Sequence, residues 1–338
     1  MKIKVFCMMV LCTGLLVGCD KEEEYEPVKP PMEEPEKPNE SVTPPSTDDI
    51  INTKIGDINM IVGTNDWNAV AYGNGKYVAV SGYYWGGKYE DAGYVTSSTD
   101  GKTWTTPKKL LSSNNEWKDV KFLNGKFVAA GREGCIATSV DGITWESYIA
   151  INKTIDWESV TYGNGLFVAA AYSGSYRAIS TDCKNWVAGS SSGTSSFNDI
   201  AYGNGTFVII GDYNTIKYTS DPYGNWGGIS LGNVYNTYWT SIIYGNNKFV
   251  IVGYSYTNTT RTGWISTSTD GKTWTTPKSI NDMWFRSVTY SSGKFIAAAL
   301  YGYVTTSIDG VNWTTPEQIK DESGKVVTAN LYGICAMP

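Results

Sequence analysis

The chain has 338 residues, with 27 lysines and arginines, 33 aspartates and glutamates, and no histidine. An acidic balance offers no electrostatic basis for nucleic-acid binding. The missing histidine excludes catalytic triads that use an imidazole, and without a Cys-x-x-Cys pair we expect no metal site and no cofactor.

Residues 1–18 have the pattern of a targeting segment. Two lysines precede an apolar run that is too short to span a bilayer as a stable helix. The run ends in Leu-Val-Gly-Cys at residues 16–19, which resembles the lipobox of bacterial lipoproteins. That resemblance implies cleavage before Cys19 and a lipid on its sulfur, which would anchor the chain without spanning the membrane. A secretory signal with a chance cysteine is the alternative.

Residues 19–50 predict a linker behind the lipidated cysteine. Residues 20–49 hold seven of the 12 prolines, 11 acidic residues and three lysines, a composition that cannot bury a core. Asp-Lys-Glu-Glu-Glu at 20–24 resembles the export signal of surface lipoproteins in the Bacteroidota, and implies the outer-membrane surface. A plain solvated spacer is one alternative, and in enterobacteria an aspartate after the cysteine would instead indicate inner-membrane retention. Residues 51–338 contain 22 basic and 22 acidic residues, so the acidity belongs to the linker.

An aromatic-anchored unit of about 40 residues recurs six times after the linker, which predicts a repeat architecture. The opening anchors are Trp67, Trp117, Trp157, Phe197, Trp239 and Trp284. The closing anchors are Trp104, Trp145, Trp186, Trp226, Trp274 and Trp313.

Each unit predicts four short strands. In the first unit these are residues 67–72, 76–80, 94–98 and 103–105, with Gly-Asn-Gly and Asp-Gly turns between β-rich runs. Four antiparallel strands repeated around an axis describe an all-β protein, a β-propeller, over residues 51–338. Apolar fragments remain at residues 50–62 and 326–336, so we favour seven blades with the seventh shared by the termini. Six blades is the alternative.

The Asp-Gly turns resemble the Asp-box (BNR) repeat of sialidase-like propellers. Residues 98–104 read Ser-Thr-Asp-Gly-Lys-Thr-Trp, one residue shorter than the family pattern, and similar segments start at Ser139, Ser268 and Ser307. The resemblance implies that the aspartates cap their own turns and that the tryptophans pack between blades. It therefore assigns a structural role to Asp100, Asp141, Asp182, Asp221, Asp270 and Asp309.

Function should lie where the units differ. Insertions at residues 83–91 and 254–261 both fall between the second and third strands, so a propeller would place them on one face. Exposed aromatic rings among polar and charged groups suit the stacking and hydrogen bonding of sugars. The candidate ligand-binding residues are Tyr83, Tyr84, Trp85, Tyr89, Arg132, Tyr176, Arg177, Tyr213, Tyr254, Tyr256, Arg261 and Tyr301. Alternatively, these tyrosines only cover blade edges.

The sequence thus predicts a lipid-anchored, monomeric surface protein that binds a glycan or a surface protein without catalysis. One alternative is a glycoside hydrolase or lyase that uses carboxylates in the channel, such as Asp119 and Asp199 on first strands. Another is an assembly scaffold. A sialidase needs three arginines on its substrate carboxylate, and three of Arg132, Arg177, Arg261 and Arg286 could face one funnel. The propeller lacks the Arg-Ile-Pro segment that sialidases carry near its start, so we assign no catalytic residue.

Overall fold

The computed structural model describes residues 4–8, 58–60, 67–82, 93–110, 116–189, 195–232, 234, 236–257, 260–321 and 324–336. The predicted linker and Cys19 lie outside these ranges. Within them, no helix is long and apolar enough to cross a membrane.

The first two strands, β1 (Lys4–Met8) and β2 (Ile58–Met60), precede the repeats. Blade 1 contains β3 (Trp67–Gly73), β4 (Lys76–Ser81), β5 (Tyr94–Ser98) and β6 (Lys108–Lys109). Blade 2 contains β7 (Trp117–Leu123), β8 (Lys126–Gly131), β9 (Cys135–Ser139) and β10 (Glu146–Ile149). Blade 3 contains β11 (Trp157–Gly163), β12 (Leu166–Ala171), β13 (Arg177–Ser180) and β14 (Val187–Ala188).

Blade 4 contains β15 (Phe197–Gly203), β16 (Thr206–Gly211), β17 (Thr215–Thr219) and β18 (Gly227–Ile229). Blade 5 contains β19 (Tyr238–Gly245), β20 (Lys248–Tyr256), β21 (Arg261–Ser268) and β22 (Lys278–Asn281). Blade 6 contains β23 (Phe285–Ser291), β24 (Lys294–Ala299), a 3-10 turn (Leu300–Gly302), β25 (Tyr303–Ser307) and β26 (Glu317–Gln318). The last strand is β27 (Leu331–Ala336). All strand pairs within the six blades are antiparallel and sequential.

The chain is therefore an all-β propeller with six four-stranded blades. The favoured count of seven is wrong, and the alternative count of six applies. The terminal segments form a smaller sheet in the order β2-β1-β27, in which β1 is antiparallel to β2 and parallel to β27. Strand β27 packs against both β23 and β3, so it fills the gap between blades 6 and 1. Closing the ring in this way protects inner strand edges without a complete seventh blade.

The core lies between neighbouring blades. Trp157 at the start of β11 has no exposed surface and clusters with Val128 and Ile136 of blade 2. The anchor of blade 6 differs from the prediction. Phe285 is fully buried and begins β23, whereas Trp284 is only partly buried and precedes the strand. The true anchor is thus one residue later than the tryptophan pattern indicates.

The recurring aspartates cap their own turns. Asp100 Oδ1 accepts hydrogen bonds from the backbone N–H of Lys102 at 2.8 Å and of Thr103 at 2.7 Å, and Ser98 Oγ donates to it at 2.9 Å. These bonds favour the ionised form, first through Thr103 and Lys102, and lower the pKa of Asp100 to about 2. The indole of Trp104 donates to the carbonyl of Gly101 at 3.1 Å. These groups are committed to the scaffold.

Candidate functional site

A β-bulge at the start of each first strand aims one side chain at the mouth of the central channel. In blade 1, Trp67 opposes Ser81 but Ala69 opposes Val80, so Asn68 is an extra residue. The same shift follows the anchor in the other five blades. The bulged residues are Asn68, Lys118, Glu158, Asn198, Thr240 and Arg286, and we call them the second-position ring. All six line a cavity of about 840 Å³, which Tyr332 of β27 lines as well.

Three members of the ring join neighbouring blades. Asn68 Nδ2 donates to the carbonyl of Trp117 at 2.9 Å, and Asn198 Nδ2 donates to that of Trp239 at 2.9 Å. The hydroxyl of Thr240 donates to the carbonyl of Phe285 at 3.0 Å. These side chains therefore hold the ring together.

The charged members divide into one that is paired and two that are not. Lys118 Nζ lies 2.6 Å from Glu116 Oε1. Glu158 and Arg286 form no ion pair or side-chain hydrogen bond with any residue that the structure describes. They are the uncommitted charges of the ring.

Deeper in the channel, Asp119, Lys121, Ser159 and Asp199 form a hydrogen-bonded group that we call the channel network. Lys121 Nζ lies 2.8 Å from Asp199 Oδ1, 2.9 Å from Ser159 Oγ and 3.5 Å from Asp119 Oδ2. Ser159 Oγ lies 2.8 Å from Asp119 Oδ2 and 2.7 Å from Asp199 Oδ1. The network joins blades 2, 3 and 4.

Burial and pairing compete in the channel network. Burial raises the pKa of Asp119, and the Lys121 ammonium offsets this in part. Burial works to lower the pKa of Lys121, but attraction to Asp119 and Asp199 outweighs it and raises that pKa. The hydroxyl of Ser159 has one proton for two carboxylate contacts, so protonation of Asp119 would satisfy the second contact.

The second residue after the anchor carries further contacts in blades 4 to 6. Asp199 Oδ2 accepts the N–H of Ile242 at 2.8 Å, and Ser241 Oγ accepts the N–H of Val288 at 3.2 Å. In blade 6 the matching residue is Ser287, whose Oγ accepts the N–H of Ile334 in β27 at 3.3 Å. Counting from Trp284, the sequence pattern gives this position to Arg286, whereas counting from the anchor Phe285 gives it to Ser287.

Carboxyl groups concentrate at the mouth near blades 2 to 4. Burial raises the pKa of Glu158 to about 7, although Lys118 opposes this and Glu116 reinforces it. Burial also raises the pKa of Asp212, which accepts a hydrogen bond from Asn198 at 2.8 Å and one from Tyr172. This side of the mouth can take up positive charge or a proton.

Aromatic rings concentrate at the mouth near blades 5 and 6. The ring of Tyr238 lies 5.3 Å from that of Tyr254 and 5.9 Å from that of Tyr256, with interplanar angles of 15° and 14°. Trp284 lies 4.4 Å from Tyr254, and Tyr213 lies 5.7 Å from Tyr238. We call these five residues the aromatic cluster. Tyr213 and Tyr256 are its most exposed members, at 69% and 54%.

Two arginines border the aromatic cluster. The guanidinium of Arg286 lies 4.9 Å from the ring centre of Tyr254, 5.2 Å from that of Trp284 and 5.5 Å from that of Tyr332. Arg261 lies 5.3 Å from Trp284 and donates to the hydroxyl of Tyr301 at 3.4 Å. Cations over aromatic faces are attracted by the ring quadrupole, so the cluster holds both groups in place.

The predicted site residues separate into three groups. Tyr213, Tyr254, Tyr256, Arg261 and Tyr301 meet at or beside the aromatic cluster. Tyr83, Tyr84, Trp85 and Tyr89 lie outside the described residues. The other three, Arg132, Tyr176 and Arg177, lie apart from the aromatic cluster.

Arg132 Nε lies 2.6 Å from Glu116 Oε2 and 3.8 Å from Asp156 Oδ2, on the acidic side of the mouth. Tyr176 is exposed and has no ring partner among the described aromatic residues. Arg177 is buried, 5.0 Å from the ring centre of Trp226, and burial lowers its pKa to about 10. We leave Arg177 out of the site, because the core covers it.

Four residues at the mouth were not predicted as site residues: Glu158, Tyr238, Trp284 and Arg286. Glu158 and Arg286 follow their anchors directly, so a bulge after the anchor was the signal that could have found them. Trp284 was assigned to the scaffold, and Tyr238 lies just before the anchor Trp239. These four residues come together at one mouth only because the blades close into a ring.

Among the described residues, neither metal binding nor thiol chemistry has an evident site. No group of three potential metal ligands occurs among the residues that the structure describes. Cys135, Cys183 and Cys335 are buried cysteines, and burial raises the pKa of the Cys183 thiol to about 12. A thiol with so high a pKa is a poor nucleophile at neutral pH.

The sequence matches no protein family and no curated protein. Its fold is similar to those of several solved structures. One is a catalytically inactive virginiamycin B lyase from Staphylococcus aureus with quinupristin, at a TM-score of 0.65 and 12% identity, over 81% of this chain and 90% of that one. Another is YCF48 bound to D1 peptide, at a TM-score of 0.57 and 15% identity, over 79% and 84%.

The extracellular domain of the one-component system BT4673 from B. thetaiotaomicron is also similar, at a TM-score of 0.57 and 12% identity. The match covers 79% of this chain and 35% of that one. Identities this low show the fold alone. Together with the strand order, the comparisons establish that the chain is a β-propeller.

Proposed function

We propose that this protein is a lipid-anchored surface propeller that binds a glycan or protein ligand, without catalysis, at the mouth of its channel. The observation that carries the proposal is the aromatic cluster, in which exposed Tyr213 and Tyr256 are braced by rings that line the cavity. Braced aromatic rings offer a large contact area at a low entropic cost.

The carboxylates of the channel support binding rather than catalysis. Asp119 and Asp199 contact Lys121 and Ser159, and Asp199 also accepts a backbone hydrogen bond from Ile242. A catalytic pair must keep one carboxyl group available to the leaving oxygen and the other to a sugar carbon or a water. These two groups are instead occupied by contacts between blades.

One observation favours the glycoside hydrolase alternative. Glu158 lines the cavity and has a pKa of about 7, as a general acid requires. Incubation with glycoside substrates tests this alternative. Turnover that Glu158→Gln abolishes would establish an enzyme, whereas no turnover leaves the binding proposal in place.

The binding proposal is tested on an array that carries both glycans and peptides. The purified protein should bind a defined subset, and Tyr256→Ala should remove that binding without changing the melting temperature. Binding that Tyr256→Ala leaves intact would show that the aromatic cluster is not the site. No binding to any glycan or peptide would contradict the proposed function.

A further inference from the structure

The second-position ring carries two uncommitted charges of opposite sign, Glu158 on β11 and Arg286 on β23. Around the channel the first strands follow the order β3, β7, β11, β15, β19, β23, and β27 closes the circle. Strands β11 and β23 are three steps apart in this circle of seven. Because both residues occupy the same bulged position, they lie at the same level on opposite sides of the mouth.

Arg286 is built to receive an anion. Tyr254, Trp284 and Tyr332 lie around its guanidinium, and its Nε is buried without an acceptor among the described residues. The indole Nε1 of Trp284 is also buried without an acceptor among them. An unpaired buried donor is costly, and a carboxylate can accept from a guanidinium through two parallel bonds. A carboxylate beside Arg286 would therefore satisfy groups that now lack partners.

Glu158 is built to receive a cation. Its carboxyl group lines the same cavity, and Asp212 and Glu116 line it too. Glu116 is already paired with Lys118 and Arg132, and Asp212 already accepts hydrogen bonds from Asn198 and Tyr172. An ammonium group beside Glu158 would therefore stabilise the carboxylate that has no partner among the described residues of this side.

From this pair we infer that the cavity binds a short peptide by both charged ends, with its amino terminus at Glu158 and its carboxylate at Arg286. The inference rests on the proposed function, since it names the ligand of the same site. A neutral glycan can stack on the aromatic cluster but neutralises neither charge. An acidic glycan satisfies Arg286 and leaves Glu158 without a partner. Only a ligand with both charges satisfies both sides.

The size of the cavity agrees with a short peptide. A volume of about 840 Å³ lies within the range of sites for small ligands. An extended peptide adds roughly 3.3–3.6 Å per residue, so only peptides near one length can reach both sides at once. Affinity should pass through a maximum in a series from two to five residues.

The test uses the purified full chain and calorimetric titration. The ligands are unblocked peptides of two to five residues, each made of one tyrosine and otherwise alanine. Each peptide has an N-acetylated and a C-amidated counterpart. Against the best peptide, acetylation and amidation should each weaken binding by about tenfold or more. In Glu158→Gln, acetylation should have almost no further effect, while amidation should still weaken binding. In Arg286→Gln the pattern should be reversed.

Exposed Glu317→Gln, on β26, is the matched control and should leave both blocking effects unchanged. If Arg286→Gln fails to fold, Arg286→Lys takes its place, because lysine keeps a cation at this position. The comparison of blocked with free peptides uses the unaltered protein and needs no variant. Blocked peptides that bind as tightly as free ones would overturn the inference, as would no peptide binding at millimolar concentration. If a glycan then binds through Tyr256, the proposed function stands and only the inference fails. If nothing binds, both fail.

Discussion

Lys121 Nζ lies 2.8 Å from Asp199 Oδ1, although the two residues are 78 positions apart and belong to blades 2 and 4. The ion pair passes over blade 3, whose Ser159 contacts both partners. Contacts this distant in sequence form only after three blades have assembled. The channel network therefore links blades whose other contacts are mostly with their nearest neighbours.

Removing Asp199 should destabilise the propeller. Asp199→Ala leaves Lys121 with Asp119 as its single carboxylate partner among the described residues, and it leaves the N–H of Ile242 without its acceptor. Breaking a buried pair by removing one partner typically costs about 3–5 kcal/mol. Urea unfolding measures the loss, and exposed Glu317→Ala should change the free energy of unfolding by less than about 0.5 kcal/mol. Equal effects of the two changes would show that the channel network contributes no stability.

Gly333 of β27 should not tolerate a side chain. A Cβ there would lie 2.9 Å from the carbonyl oxygen of Asn68 and 3.0 Å from the Cα of Ala69, so β27 would have to move away from blade 1. Overpacking of this kind costs about 1–3 kcal/mol. Gly232→Ala is the matched control, because nothing lies within 4 Å of its Cβ. If both variants melt at the same temperature, contact between β27 and β3 does not hold the ring closed.

Ligand binding and stability should respond to different aromatic residues. Tyr256→Ala and Tyr213→Ala remove exposed rings, so they should lower affinity by about 2 kcal/mol or more and leave the melting temperature unchanged. Trp157→Ala removes a fully buried anchor and should lower the free energy of unfolding by about 3–5 kcal/mol. Thermal melts and titrations with the array ligand separate the two effects. Normal binding by both tyrosine variants would place the ligand elsewhere.

Stability should fall as the pH rises through the titration of Glu158. Its pKa rises from an ordinary 4.5 to about 7 on folding, chiefly through burial, with Lys118 and Arg132 opposing and Glu116 and Asp156 reinforcing the shift. The folded state therefore binds the proton more tightly than the unfolded state does. Its stabilising contribution is complete below about pH 4.5 and is lost by about pH 7.

Melting curves from pH 4.5 to 8 check this expectation. Burial also raises the pKa values of Asp119 and Asp212, so the informative quantity is the difference between the wild type and Glu158→Gln. In Glu158→Gln, the melting temperature should fall less steeply than in the wild type as the pH rises. Glu133→Gln, at an exposed position, should not change the profile. Identical slopes for Glu158→Gln and the wild type would show that folding does not raise the pKa of Glu158.

Anchoring should depend on Cys19. Cys19→Ala removes the proposed lipid attachment site, so the protein should leave the membrane fraction or retain its leader. Fractionation with mass spectrometry of the amino terminus measures both outcomes. A Cys19→Ala protein that is cleaved normally and stays with the membrane would contradict lipid anchoring.

Cleavage before Cys19 would also remove β1 from the protein. The edge of β27 that β1 covers would then need another strand to cover it.

The propeller fold could be predicted from the amino-acid sequence alone, because the signals for it are local and repeated. Anchors such as Trp157 recur at about 40 residues, and turns such as the one at Asp100 satisfy their own backbone groups. The exposed rings of Tyr213 and Tyr256 could also be predicted, since they fall in loops between predicted strands.

The number of blades, the anchor of blade 6 and the composition of the mouth depend on how the strands assemble in three dimensions. The segments at 50–62 and 326–336 were predicted to supply strands, but residues 4–8 were assigned to the targeting segment. Only ring closure determined that β1, β2 and β27 form a three-stranded sheet beside six blades. Glu158 and Arg286 are 128 residues apart in the sequence, and neither belongs to a motif. Their opposition across one cavity follows from the circular order of the blades, which no local pattern encodes.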